Sequence, residues 1–114
     1  MKVFISYSYY SDNNKLDELL KKIKKGNPKL KDADFFDPAT DLHAGSNYRE
    51  EIKKVISSCD LFLLIWSQAS SDSVWANYEI GMANAIEKRM LVVKEKGAPP
   101  LPGLTLEPQI LHIE

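Results

Sequence analysis

The sequence has little of several features that define whole classes of protein. A single cysteine, Cys59, excludes an internal disulfide, and with only two histidines, His43 and His112, a four-ligand zinc cluster is out of reach. The longest apolar run, residues 61–66, is far shorter than the roughly 20 residues that span a bilayer. Met1-Lys2 leads into only three apolar residues, so we expect no signal peptide, no membrane segment and a cytoplasmic location.

An excess of charge of one sign is also missing. Fifteen Lys and Arg stand against sixteen Asp and Glu, and a net charge of −1 argues against a dedicated nucleic-acid binder. The sequence contains no P-loop, no G-x-G-x-x-G and no G-x-S-x-G, which excludes common phosphate-binding loops and a serine-hydrolase nucleophile elbow. What remains is a chain of 114 residues with 44% hydrophobic content, which predicts one folded domain over residues 1–114.

Strand-like and helix-like segments alternate along this chain. Strands are predicted at about 2–7, 33–36, 61–66, 90–93 and 110–113. Helices are predicted around the apolar positions 16–23, between N-cap candidates at 11–13 and a stop at Gly26, around positions 48–56 after the capping residue Asn47, and near 74–88. Loops are predicted at 37–46 and 94–109, and a polar stretch at 67–73 leads into the third helix. This order predicts an α/β, flavodoxin-like three-layer fold with a five-stranded parallel sheet in the order 2-1-3-4-5. Ligands of such sheets bind outside the carboxyl ends of strands 1 and 3, which points to Ser6-Tyr7-Ser8 and Trp66-Ser67.

The third helix carries a carboxylate in an unusual place. At about 100° per residue, Trp75, Met82, Ala83 and Ile86 fall on one arc, and Glu79 projects into the middle of it. A carboxylate on an apolar stripe is costly unless it is paired or lines a cavity. Glu79 therefore either lies at the end of the stripe, solvated or bound to a lysine, or faces the crevice beside strand 3. Its position alone leaves both interpretations open.

Several segments, in order, carry a family resemblance. They are Val3–Ser8 at the first strand, Asp41–Ser46 in the loop after the second, Leu61–Ser67 at the central strand, Ser73-x-Trp75-x-x-x-Glu79-Ile80-x-x-Ala83 on the third helix, and Leu101-Pro102-Gly103 before the last strand. Together they resemble Toll/interleukin-1 receptor (TIR) domains of the short bacterial type, over nearly the whole chain. The chain stops at the fifth strand, where the family normally adds a final helix. Either that helix is dispensable here or the sequence is a truncated product.

The resemblance implies an enzyme that cleaves NAD between nicotinamide and ribose, a hydrolase or cyclase of bacterial or phage defence or toxicity. Glu79 would then be the catalytic residue, contacting the ribose and stabilising its positive charge as nicotinamide leaves. Trp75 would wall the substrate. The other residues expected to line the pocket at the strand ends are Phe4, Ser6, Tyr7 and Ser67. NAD would be the substrate, and no cofactor and no metal ion would be required.

The loop at residues 41–46 corresponds to the BB loop of the family. By resemblance, its residues Asp41, His43 and Gly45 would govern access to the site and contacts between protomers in a homo-oligomer or filament. Such assembly, or a separate sensor or effector protein, would activate the enzyme, without direct contact to nucleic acid or membrane. The loop lacks the Arg-Asp-x-x-Pro-Gly signature of receptor-type TIR domains, so adaptor signalling is not carried over.

Two other functions remain open from the sequence. The chain is also interpretable as a non-catalytic TIR module that acts by self-association. The segment Glu79-Ile80-Gly81-Met82-Ala83 in turn resembles nucleoside 2-deoxyribosyltransferases, which use a glutamate on a related glycosidic bond. The motifs do not distinguish linear ADP-ribose, a cyclic isomer or a base-exchange conjugate as the product.

Overall fold

Five short runs of β-branched, leucine and aromatic residues form the predicted sheet. A computed structural model of the chain describes residues 1–7, 13–38 and 47–113. The strands are β1 (Lys2–Ser6), β2 (Asp34–Phe36), β3 (Leu61–Trp66), β4 (Met90–Glu95) and β5 (Gln109–Ile113). Every neighbouring pair is parallel and the order is β2-β1-β3-β4-β5, which confirms the predicted fold class and strand order.

The helices cover both faces of this sheet. They are α1 (Asn13–Gly26), α2 (Tyr48–Ser58), α3 (Gln68–Asp72) and α4 (Val74–Ala85), with a 3₁₀ turn at Pro28–Leu30. None of them combines the length and the apolarity needed to cross a membrane, in the part of the chain that the structure describes.

Two helical details differ from the prediction. The stretch 67–73, predicted only as a polar stretch before the third helix, contains α3, because the Ser67 side chain accepts a hydrogen bond from the Ser70 backbone N–H and caps a short turn. Helix α4 was predicted to reach Lys88 but ends at Ala85. Glu87 adopts a left-handed backbone with φ of 53°, a conformation that terminates helices.

The hydrophobic core has two halves, one on each face of the sheet. The α2–α4 face buries Phe4, Ile52, Ile56, Cys59, Phe62, Leu64, Trp66, Ile80, Ala83, Met90 and Val92. The α1 face buries Val3, Ile5, Tyr7, Leu16, Ile23, Leu30, Leu63, Ile65, Leu91 and Val93. Strands β1, β3 and β4 contribute alternate residues to the two halves, as strands covered on both faces do.

The long segment between β4 and β5 is fastened to the α2–α4 face. The indole Nε1 of Trp66 donates a hydrogen bond to the Pro99 carbonyl at 2.7 Å, and the Thr105 backbone N–H donates to Asn84 Oδ1 at 2.8 Å. Side chains of Ala98, Leu101 and Leu104 pack against the same half of the core. This segment therefore closes the side of the sheet next to β4 and α4.

Candidate functional site

The candidate site lies where the order of the strands reverses. The crossover from β1 leads to β2 on one side, whereas the crossover from β3 leads to β4 on the other, so the two connections diverge and leave a crevice between the carboxyl ends of β1 and β3. Ser6 is the last residue of β1, and it stands beside Leu64 of β3 in the register. Helix α4 follows β3 after the short α3, so its first turns begin at this same edge of the sheet.

A buried hydrogen bond joins β1 to α4 at this edge. The Ser6 hydroxyl donates to Glu79 Oε1 at 2.9 Å, and both side chains have 0% of their surface exposed. Removing a carboxylate from water is expensive, and each hydrogen bond that it accepts in the interior offsets part of that cost. The two residues are 73 positions apart, so only the complete β1–β3–α4 unit brings them together.

The buried side of α4 differs from the predicted arc. The structure buries Ala76, Glu79, Ile80 and Ala83, whereas Trp75 is 43% exposed and Ile86 is 38% exposed. Of the four residues on the predicted arc, Ala83 is buried, whereas Trp75 and Ile86 lie on the exposed side of the helix. Ala76, Ile80 and Ala83 form one row at helical spacing, and the two alanines allow the helix backbone to lie close to the sheet. Glu79 belongs to this inner row and not to the exposed end of a stripe.

Trp75 lies one turn before Glu79, at the outer start of α4. Its ring meets the ring of Tyr78 edge-on, with centroids 6.4 Å apart at 82°. The guanidinium of Arg49, near the start of α2, stands 5.9 Å from the centre of the Tyr78 ring. These side chains form an aromatic surface beside the site, and the predicted contact of Trp75 with substrate stays a prediction.

A second polar pair lies at the ends of β1 and β2. The Tyr7 hydroxyl donates to the Asp37 carboxylate, 3.0 Å from each oxygen, and Tyr7 is only 3% exposed. Burial, then the charge of Asp37 and its hydrogen bond, and then the charge of Glu79 raise the pKa of Tyr7 above its ordinary value. The phenol therefore stays protonated and remains a donor.

Sequence reasoning placed Asp37 in a polar loop and missed this contact. The signal was present, because Asp37 directly follows β2 just as Tyr7 directly follows β1, and the two strands run parallel. Residues that follow neighbouring parallel strands meet at the same edge of the sheet.

Two other residues predicted for the substrate pocket, Phe4 and Ser67, contact different groups. Phe4 is fully buried and stacks between Phe36 and Phe62, with centroid distances of 5.8 and 5.4 Å. Ser67 caps α3, and its hydroxyl lies 3.1 Å from that of Ser70. Substrate contacts of Phe4 and Ser67 stay predictions. Asp41, His43 and Gly45, predicted as BB-loop residues, lie outside the residues that the structure describes.

The chemistry of this arrangement is that of a buried carboxylate. Within residues 1–7, 13–38 and 47–113, no three His, Cys, Asp or Glu side chains are grouped to hold a metal ion. A fixed carboxylate in a medium of low dielectric constant stabilises a neighbouring positive charge far more than it would in water. Ser6 and Glu79 therefore form a site suited to a reaction in which positive charge develops on the substrate.

Solved structures show which proteins share this fold. A 2-deoxyribosyltransferase from Leishmania mexicana superposes with a TM-score of 0.58 at 20% identity, covering 82% of this chain and 63% of its own. The TIR domains of the activated Roq1 resistosome, which recognises the pathogen effector XopQ, give 0.63 at 17% identity, with 83% and 57% covered. A conserved protein from Enterococcus faecalis V583 gives 0.64 at 13% identity, with 85% and 65% covered.

Because all three identities are low, these likenesses concern the fold alone. The chain spans 57–65% of the length of the three proteins. A comparison with curated proteins finds no match. The model of one sequence family, described as the TIR domain, matches residues 3–113 and so includes β1, α4 and the pair that they bring together. The chain therefore belongs to the TIR domain family.

Proposed function

We propose that this TIR domain cleaves NAD at the bond between nicotinamide and ribose, as a hydrolase or a cyclase. The observation that carries the proposal is Glu79, a carboxylate with no exposed surface, held by Ser6 at the switch point of the sheet. Ligands bind at that place in open parallel sheets. The proposed setting is bacterial or phage defence or toxicity, where loss of NAD would harm the host cell.

The proposed reaction needs a negative charge close to the sugar. When the bond from ribose C1′ to nicotinamide breaks, nicotinamide leaves as a neutral ring with the bonding electron pair, and positive charge develops on the ribose. The Glu79 carboxylate stabilises that charge, and the Ser6 hydroxyl holds the carboxylate in place. Water then attacks C1′ and loses a proton to give ADP-ribose, whereas attack by a group of the same molecule gives a cyclic product.

Complete burial of Glu79 sets a condition on this reaction. A side chain with 0% exposure contacts a substrate only after the groups that cover it move. We propose that self-assembly, or binding of a separate partner, supplies the free energy for this opening. The activity would then rise more steeply than in proportion to protein concentration.

Product analysis tests the proposal. The unmodified chain and the Glu79→Gln variant are incubated with NAD at high protein concentration, and nicotinamide and ADP-ribose products are measured by mass spectrometry. We expect nicotinamide from the unmodified chain and a loss of about 100-fold or more in the variant. Glu87→Gln is the matched control, because Glu87 is an exposed glutamate just after the same helix. Equal nicotinamide release by Glu79→Gln would contradict the role of Glu79.

A second candidate acts on a related bond. The fold is shared with a protein named as a 2-deoxyribosyltransferase, and the residues around Glu79 resemble that class. A deoxyribosyltransferase would move deoxyribose from a deoxynucleoside to a free base and leave NAD intact. Adding a deoxynucleoside and a free base to the same assay distinguishes the two reactions.

A third candidate is a non-catalytic interaction module. Val74 is 79% exposed and Trp75 is 43% exposed, so the start of α4 presents apolar surface to solvent beside Tyr78. Such a surface is typical of a contact with another protein. This candidate predicts no turnover of NAD at any protein concentration, together with self-association that Trp75→Ala weakens.

A further inference from the structure

The Tyr7–Asp37 pair continues the connection between β1 and β2 beyond the point where their backbones stop pairing. The register of these strands ends at Phe4 and Phe36. The chain then passes through Asp37 to Pro38, which has no N–H to donate to a neighbouring strand. Beyond that point, the hydrogen bond from the Tyr7 hydroxyl to the Asp37 carboxylate holds the two strand ends together.

This connection is one residue away from the site. Tyr7 follows Ser6 directly, and the two side chains leave the backbone toward opposite faces of the sheet. Tyr7 is held in the α1 half of the core, while the hydroxyl of Ser6 reaches Glu79 on the α2–α4 face. Fixing the Tyr7 side chain therefore fixes the backbone that presents the Ser6 hydroxyl.

We infer that Asp37 is a positioning residue of the site. It acts through Tyr7 on the backbone at Ser6, and so on the distance between the Ser6 hydroxyl and the Glu79 carboxylate. This inference rests on the proposed function only for its kinetic consequence. Its structural consequence, a change in the Ser6–Glu79 contact when the Tyr7–Asp37 bond is lost, stands without it.

Three substitutions separate the hydrogen bond from the charge. Asp37→Ala removes the acceptor, Tyr7→Phe removes the donor and keeps the ring, and Asp37→Asn keeps an acceptor oxygen while removing the negative charge. Asn84→Ala is the control, because it removes a hydrogen bond of similar kind, to the Thr105 N–H, near the far end of α4. Thermal melts identify a temperature at which every variant is folded.

The first readout is the geometry of the site. In crystal structures, we expect the separation of Ser6 Oγ from Glu79 Oε1, 2.9 Å in the unmodified chain, to exceed hydrogen-bond distance in Asp37→Ala and Tyr7→Phe. In Asp37→Asn and Asn84→Ala we expect it to be retained. An unchanged separation in both Tyr7→Phe and Asp37→Ala would overturn the inference. If Asp37→Ala does not fold, the contrast between Tyr7→Phe and Asp37→Asn decides.

The second readout is the kinetics of nicotinamide release. We expect kcat to fall about 10-fold to 100-fold in Asp37→Ala and Tyr7→Phe with little change in KM. A small displacement of a catalytic group from its productive position lowers the rate by about this factor. Asp37→Asn should retain most of kcat. The double variant that combines Tyr7→Phe with Asp37→Ala should lose no more kcat than either single variant. Losses of kcat no larger than that of Asn84→Ala would overturn the positioning role. An inactive unmodified chain would contradict the proposed function alone, and the crystal structures would still decide the inference.

Discussion

The first strand ends in two polar side chains that are held in different ways. Ser6 turns toward α4 and meets a carboxylate that has no contact with solvent. Tyr7 turns toward α1 and meets Asp37, a carboxylate that keeps part of its surface in water. A charged group at a partly hydrated edge loses little hydration free energy. A fully buried charge loses on the order of several kcal/mol, even after the protein relaxes around it, and so requires an explanation.

This difference separates two kinds of role. The Tyr7–Asp37 contact joins neighbouring strand ends, and by our inference it influences the site through the backbone at Ser6. The Ser6–Glu79 contact places a fully buried acidic side chain where ligands of this fold bind, and this is typical of a site that gives up stability for function.

Phe4→Ala tests whether Phe4, two residues before Ser6, belongs to the core or to the site. The Phe4 ring fills the space between Phe36 and Phe62, so its loss leaves a cavity. We expect the free energy of unfolding to fall by about 3–5 kcal/mol in urea denaturation. Phe4→Leu, which keeps most of the volume, should retain kcat for nicotinamide release. A stable Phe4→Leu variant with kcat reduced as strongly as in Glu79→Gln would show that Phe4 contacts the substrate.

Ser6→Ala tests the contact on the α2–α4 face. The substitution leaves Glu79 buried with one hydrogen bond fewer, so we expect a loss of about 1–3 kcal/mol in the free energy of unfolding. Nicotinamide release should fall about 10-fold to 100-fold, which corresponds to the same free energy in the transition state. Ser57→Ala is the control, because the Ser57 hydroxyl is exposed and donates only within α2. Normal activity of Ser6→Ala would show that Glu79 does not depend on Ser6.

Alkaline pH tests the contact on the α1 face. Burial, and then the neighbouring Asp37, raise the pKa of Tyr7 above its ordinary value of 10.0. The unfolded chain therefore loses this proton at lower pH than the folded chain, so the contribution of Tyr7 is complete below pH 10 and declines above it. Above about pH 10, the free energy of unfolding should fall more steeply with pH in the unmodified chain than in Tyr7→Phe. Equal slopes in urea denaturation would contradict this prediction.

Local pattern was sufficient to predict the fold. The continuous apolar run Leu61–Trp66 indicated a central strand, and the alternation of strands with helices led to the order 2-1-3-4-5, because parallel neighbours require crossovers of one hand. Helix α3 was not predicted, since Gln68–Asp72 has no hydrophobic period and depends on the cap that Ser67 provides. A single side chain decides whether such a short segment becomes helical.

Less of the site than of the fold could be predicted from the sequence. Ser6 and Glu79 were both identified, but their hydrogen bond is a tertiary contact that no local pattern contains. The helical spacing put Trp75 on one apolar arc with Ala83, yet the row that faces the sheet contains Ala76 and Ala83 and leaves Trp75 partly exposed. Asp37 was overlooked because its partner, Tyr7, lies on another strand. The exposure of Trp75 depends on the rotation of α4 about its axis, and the contact of Asp37 depends on the pairing of β1 with β2.

On the proposed function, the Glu79 carboxylate is kept for reaction and not for stability. The free energy of unfolding of Glu79→Gln, measured by urea denaturation beside nicotinamide release from the same preparation, tests this directly. Because glutamine retains an acceptor for Ser6 and replaces the buried carboxylate with a neutral amide, we expect unchanged or increased stability with release reduced about 100-fold or more. A variant that loses stability and keeps its activity per folded molecule would show instead that Glu79 serves the stability of the fold.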